Sequence, residues 1–332
     1  AGLGGEWVEF PACDALGRPI TGKYALVRDP EGRRTAVIEM ADTAGIWRIA
    51  PDERNPLVAN TYGTGLAVRH AVWESGAEKV ILGLGGSATN DGGLGFAQAL
   101  GWVFQDERGW KLPPEPRHLK AALAHVHPPE RLWPEGRAVV LQAACDVANP
   151  LLGRNGSTTV YGPQKGVTAE THPLLEEGLA LLARLRGGSR EGVPLEEIPG
   201  SGAAGGMGYG VLAWGQGELI PGFDLVAEVI GLDALIAEAD LVITGEGSLD
   251  AQSLEGKGPV GVARRARKLG KPVIALAGRV APEIRAGAGE FDAAAGLCEE
   301  PMPLEQAIAN AKMLLEEKSA LLARLMRLGK TL

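Results

Sequence analysis

The sequence predicts an α/β protein in two parts, a mixed α/β part over residues 1–230 and a parallel-sheet part over residues 231–332. Its 332 residues suffice for two packed domains. From about residue 231, short buried apolar runs alternate with amphipathic helices, the rhythm of βαβ units around a parallel sheet. Before that point similar runs are separated by long glycine-rich or proline-rich connections. Glycine is 48 of the 332 residues, about twice the ordinary ~7%.

In the first part, strands are expected at Tyr24–Val27, Thr35–Met40, Lys79–Leu84 and Ala138–Ala143, with helices opening near Leu94 and Met207. The second part reads as helix Leu232–Ala239, buried strand Asp240–Thr244, helix Pro259–Leu269, strands Pro272–Ala277 and Phe291–Leu297, and a helix from Leu304 onward. Pro259 suits a first helical turn, where its missing N–H would be unpaired anyway, and Gly270 suits the left-handed residue that ends the same helix. The last helix places Ala307, Ala311, Leu314, Leu315, Leu321, Leu322 and Leu325 at three- and four-residue steps, a face expected to dock.

A net charge of −8 with scattered acids argues against a broad nucleic-acid surface, which needs a basic stripe. Small ligands are the expected partners. No run approaches the ~18 apolar residues of a membrane span. Cys13, Cys145 and Cys298 form neither a disulfide framework nor a zinc motif, and point to a reducing, cytoplasmic compartment. Cys145 reads as a small buried residue; His118, His125 and His127 lack the partners of a metal site and receive no role. A homo-oligomer is left open.

Of the 48 glycines, 21 lie in four windows that cover 55 positions: 83–95, 153–166, 200–210 and 245–261. Such clustering suits loops whose N–H groups approach a ligand. The first window, GLGGSATNDGGLG, stands between a strand and a helix, the setting of an anion cradle to which Ser87, Thr89 and Asn90 add donors and Asp91 a metal ligand or proton acceptor. A tight turn capped by Asn90 or Asp91 is the bland alternative; it needs one polar residue where four occur. Gly83, Gly85 and Ala88 also match a dinucleotide fingerprint, but the polar stretch after them would break the helix that fingerprint requires. Gly329, Lys330 and Thr331 give a Walker A ending without its first glycine. The second window places Asp146 after a strand and Lys165 on a Pro-Gln-Lys-Gly turn, a pair suited to an anionic substrate and balanced against a surface turn with a solvated lysine. The third, around Gly205 and Gly206, admits a phosphate or merely close helix packing, with binding slightly preferred. The fourth puts Glu246 and Asp250 at the carboxyl end of a strand, well placed for catalysis or Mg2+, with Ser248 and Lys257 nearby.

The strings GLGGSATNDGG, ACDVANPL, YGPQKG, GAAGGMG and VITGEGSLDxQS, in this order, resemble the bacterial glycerate kinases of the two-domain, non-P-loop type over nearly the whole chain. The resemblance implies ATP-dependent phosphorylation of D-glycerate with Mg2+, to 2-phosphoglycerate or 3-phosphoglycerate. It also implies a Rossmann-like (flavodoxin-like) domain, here 231–332, plus a second mixed α/β domain. On that reading Gly85, Gly86, Ser87, Thr89 and Asn90 cradle an anion, and Gly205 and Gly206 assist. Lys165 neutralises charge, Glu246 and Asp250 hold Mg2+ or act as base, and Asp146 or Asp91 contacts substrate. One departure is that the family's opening strand, its Pro-Asp-Ser-(Phe/Tyr)-Lys segment and an Asp-Gly-Gly-Glu-Gly-Thr turn are not seen before residue 1. The Rossmann-like domain is therefore expected to be incomplete, with an exposed sheet edge and little kinase activity; full turnover in a coupled ADP assay would contradict this. The runner-up function is a nucleotide-cofactor oxidoreductase that uses Gly83, Gly85 and Ala88.

Overall fold

The protein is described from a computed structural model that covers residues 4–29, 31–250, 253, 258–285, 290–298 and 300–329. The chain divides into two compact units, Ala1–Leu225 and Val226–Leu332. Both are α/β. Lys257, Lys330 and Thr331 lie outside the described residues.

The first unit is built on a six-stranded sheet in the order Glu6–Cys13, Pro19–Arg28, Arg34–Glu39, Lys79–Gly83, Val140–Ala144 and Glu218–Ile220. The first three strands are antiparallel neighbours, and from Arg34–Glu39 onward every pairing is parallel. Lys79–Gly83 lies in the middle of the sheet and is buried along almost its whole length, which explains its unbroken apolar run. The sequence did not reveal Glu6–Cys13, whose pattern includes Pro11. That proline is tolerated because the strand pairs on one side only.

The register brings the carboxyl ends of the parallel strands into line: Glu39 is opposite Gly83, Gly83 opposite Ala144, and Ala144 opposite Ile220. The core under these ends gathers Ile38, Val80, Leu82, Leu141 and Ala143 from the sheet with Val68, Val72, Phe96 and Trp214 from the helical layers. Trp214 is met edge-on by Trp102, Phe104 and Tyr209, with ring centroids 5.1, 5.3 and 5.9 Å away. Its indole N–H donates to the Gly92 carbonyl at 3.0 Å, so the aromatic cluster also anchors the first glycine loop.

The second unit has a three-stranded parallel sheet, Val242–Thr244, Val273–Ala277 and Ala293–Gly296, with the helix Gly258–Lys268 between its first two strands in sequence. Ile236, Ala263, Ala266 and Val273 form one small core, and Leu249, Ala275, Ala277, Val280 and Ile284 another. The expected final helix is two, Leu304–Ala309 and Ala311–Gly329, because Asn310 leaves helical geometry. Its expected docking face is only partly covered: Ala307, Leu314 and Leu322 are half-buried, while Leu315, Leu321 and Leu325 are exposed. Among the described residues no helix is long and apolar enough to cross a membrane.

Candidate active site

Immediately beyond the aligned strand ends of the first unit lies a cavity of about 380 Å3, within the range of small-molecule sites. Two of its walls are continuations of strands. Leu84, Gly85, Gly86 and Ser87 follow Lys79–Gly83, and Cys145, Asp146 and Val147 follow Val140–Ala144. Ile46 closes one side, Tyr161, Gln164 and Lys165 a second, and Ala203 and Ala204 a third.

The Gly85–Ser87 loop is fixed from one side. Ile46 N–H donates to the Gly86 carbonyl and Ala88 N–H to the Ala44 carbonyl, each at 2.8 Å. Among the described residues no hydrogen bond is found from the N–H groups of Gly85, Gly86 and Ser87, three residues that line the cavity. Gly85 has an ordinary backbone conformation, and a Cβ there would meet nothing within 4 Å. Neither strain nor packing demands glycine at this point.

Among the described residues, Lys165 is the one cation that lines the cavity. It ends a short turn, Pro163–Lys165, after the helix Ser157–Tyr161. Its ammonium, only 2% exposed, donates to Ser87 Oγ at 2.8 Å and to the Thr89 carbonyl at 2.7 Å. Burial pushes its pKa from the usual lysine range down to about 7, against the pull of the Asp91 charge. An anion in the cavity would restore the charged form. Asp146 is exposed on the wall, where its Oδ1 accepts the Gly222 N–H at 2.8 Å.

Five residues expected at the ligand stand behind the wall instead. Asp91 is fully buried and accepts hydrogen bonds from Thr61 N–H and Oγ1 at 2.8 Å and from Gly93 and Gly95 N–H at 3.1 Å. It fixes the start of the helix Leu94–Ala99 and has no face toward substrate or metal. Burial pushes its carboxyl up, while these four donors favour the charged form. Asn90 donates to Thr158 Oγ1 at 3.1 Å and accepts from Ser157 Oγ at 3.3 Å, tying the loop to the helix that leads to Lys165. Thr89 is likewise buried and serves through its carbonyl. Gly205 and Gly206 have φ of +77° and +84°. A Cβ on Gly205 would overlap the Thr89 carbonyl, and one on Gly206 would stand 2.7 Å from Leu151 Cδ1 and 2.8 Å from Gly92 Cα. Close packing is enough to account for both glycines.

Sequence reasoning missed Ile46, Cys145, Tyr161 and Gln164 as wall residues. Tyr161 and Gln164 belong to the YGPQKG string, which pointed only to its lysine. Burial raises the Cys145 thiol pKa, so it is no thiolate nucleophile. The dinucleotide fingerprint loses its support, because the helix opens at Leu94, well beyond Ala88.

Glu246 and Asp250 belong to the second unit, in the loop that leaves the carboxyl end of Val242–Thr244. Glu246 is exposed; Asp250 Oδ2 lies 3.5 Å from Ser248 Oγ, and Asp250 N–H donates to Ser253 Oγ at 3.2 Å. Among the described residues no three His, Cys, Asp or Glu side chains converge as a metal cluster. Mg2+ does not require one, since it is commonly held by one or two carboxylates together with substrate phosphates and water.

A family model described as the glycerate kinase family matches residues 1–327. The chain is 42% identical over 303 residues to a glycerate kinase of Halalkalibacterium halodurans, covering 91% of this chain and 78% of the relative. It is 38% identical over 329 residues to a glycerate kinase of Bacillus subtilis, with coverage of 99% and 84%. The glycerate 2-kinase of Escherichia coli is 38% identical over 278 residues, 84% of this chain and 70% of the relative. Among solved structures, a Salmonella typhimurium LT2 protein assigned as a glycerate kinase 2 superposes with a TM-score of 0.80 and 36% identity, over 100% of this chain and 85% of that one.

Proposed function

The chain belongs to the glycerate kinase family, and from that premise we propose that this kinase transfers the γ-phosphoryl group of ATP to D-glycerate, with Mg2+, to give 2-phosphoglycerate. The observation that carries the reading is the buried Lys165 beside the N–H groups of Gly85, Gly86 and Ser87. Phosphoryl transfer asks the protein mainly for positioning and for neutralisation of charge that is spread over phosphate oxygens. Preorganised backbone donors and an ammonium with little access to water supply this.

Lys165 neutralises an anionic group in the cavity, and Ser87 and the Thr89 carbonyl hold the ammonium in place. Asp146, the acid on the same wall, orients the glycerate hydroxyl and accepts its proton. Glu246 and Asp250 are the proposed holders of Mg2+, which would offset negative charge on phosphate. No motif-based residue is left for hydride chemistry. The unpaired cysteines and the ATP-dependent reaction favour a cytoplasmic enzyme.

The test is a phosphoryl-transfer assay with D-glycerate and Mg-ATP, followed by phosphorus NMR of the product. A signal split by a single carbinol proton identifies 2-phosphoglycerate. A CH2-coupled signal would reassign the product as 3-phosphoglycerate, and no glycerate-dependent ADP release would overturn the proposed reaction.

A further inference from the structure

Beside the proposed active site, the first unit carries a second cavity of about 450 Å3 whose lining includes Glu9, Lys23, Glu39, Asp42, Trp47 and Arg48. The two cavities share the segment that follows the strand Arg34–Glu39. Ile46 lines the first and Trp47 the second, and a Cβ on Gly86 of the first would stand 3.4 Å from the Ala41 Cβ of the second. The two cavities are therefore neighbours.

Trp47 is 66% exposed but held in place. Its indole N–H donates to the Ala41 carbonyl at 2.9 Å, and the Arg48 guanidinium lies 4.4 Å from the ring centroid. Arg48 is itself fixed by Asp42, at 3.4 Å, whose other oxygen accepts the Lys23 N–H at 2.8 Å. A large flat ring this exposed and this ordered is a platform on which another flat ring can stack. Arg48 Nε is buried without a hydrogen-bond partner.

The ring and the donors decide which end of a ligand goes where. The second cavity sets the carboxylates of Glu9, Glu39 and Asp42 against Lys23 and Arg48 and offers the exposed Trp47 ring, whereas the first offers the buried Lys165 and the N–H groups of Gly85, Gly86 and Ser87, which suit an anion. Glycerate is too small to span the two. A ligand with a flat base at one end and phosphates at the other suits both. We propose that Trp47 and the groove of Glu39, Asp42 and Arg48 bind the base of the nucleotide that donates phosphate, with its phosphates directed to Gly85–Ser87. This rests on the kinase reading above and extends it to the nucleotide.

The test compares wild type, Trp47→Ala and Trp47→Phe for binding of ATP and of inorganic tripolyphosphate by calorimetry, alongside steady-state kinetics. Trp47→Ala is expected to weaken ATP binding, and to raise the KM for ATP, by about tenfold. Tripolyphosphate affinity and the KM for glycerate should stay within about twofold, and Trp47→Phe should keep most of the ATP affinity because it keeps a flat ring. In wild type, ATP should quench tryptophan emission and tripolyphosphate should not. Equal ATP affinity in Trp47→Ala and wild type would overturn the base site while leaving the anion cradle intact. Failure of both ATP and tripolyphosphate to bind wild type would overturn the kinase reading beneath it.

Discussion

Burial makes the Lys165 proton easier to lose in the folded protein than in the unfolded chain. Its folded pKa of about 7 lies below the 10.5 of a free lysine, so between those values the unfolded chain binds a proton that the folded chain lacks. Stability therefore rises with pH across that window and is flat below it, where both states are protonated. Lys165→Met removes this burden. The variant is expected to be more stable than wild type at pH 7, by at most a few kcal/mol, roughly, and the advantage should shrink toward pH 10. Denaturant melts at the two pH values measure it. At Gly85 a side chain would project into open space, so Gly85→Val should change stability by no more than about 0.5 kcal/mol. By filling the ligand's position it should lower kcat/KM about a hundredfold; thermal midpoints and initial rates on one preparation separate the two effects. Asp250→Asn should lower kcat about a hundredfold and raise the KM for glycerate far less, if the carboxylate acts through the metal in the transition state. Unchanged kinetics would remove it from the site.

At the scale of elements, the four polar residues of the first glycine loop divide their work in a way that counting could not reveal. Ser87 meets the lysine at the cavity, Thr89 offers that lysine a carbonyl, Asn90 ties down a neighbouring helix, and Asp91 organises the start of the next. A run of polar side chains in a glycine loop looks the same whether it faces a ligand or the chain itself, which is why Asp91 read as a reactive acid. Its actual task predicts the cost of losing it. Asp91→Asn keeps one acceptor for donors that now use two oxygens, and should destabilise the fold by about 2–4 kcal/mol, measured as a lower denaturant midpoint. Glycine carries the same ambiguity: Gly85 leaves room for a ligand, whereas Gly205 leaves room for the Thr89 carbonyl, and the two are identical in sequence. Lys79–Gly83 and Val273–Ala277 were legible because burial on both faces leaves continuous apolar runs. Glu6–Cys13 and Glu218–Ile220 were not, since one is a half-exposed edge strand with a proline and the other has three residues.

At the scale of the whole molecule, the two-part organisation was legible in the change of rhythm along the chain, and the family in five ordered strings. The cavity was not, because its walls come from segments around residues 46, 85, 146, 165 and 204 that only the sheet brings together. That dependence on the sheet sets where the gene can tolerate insertions and deletions. The aligned ends Glu39, Gly83, Ala144 and Ile220 form one row, and removal of a single residue from Lys79–Gly83 would pull its loop back by about 3.3 Å and turn its side chains to the opposite face. One extra residue beside Gly32, between Pro19–Arg28 and Arg34–Glu39 at the opposite end of the sheet from that row, should leave phosphoryl transfer within about twofold of wild type. A library of single-codon insertions and deletions scored for glycerate-dependent ADP release would map this difference. Equal tolerance at both places would mean that the row of strand ends does not set the geometry of the site.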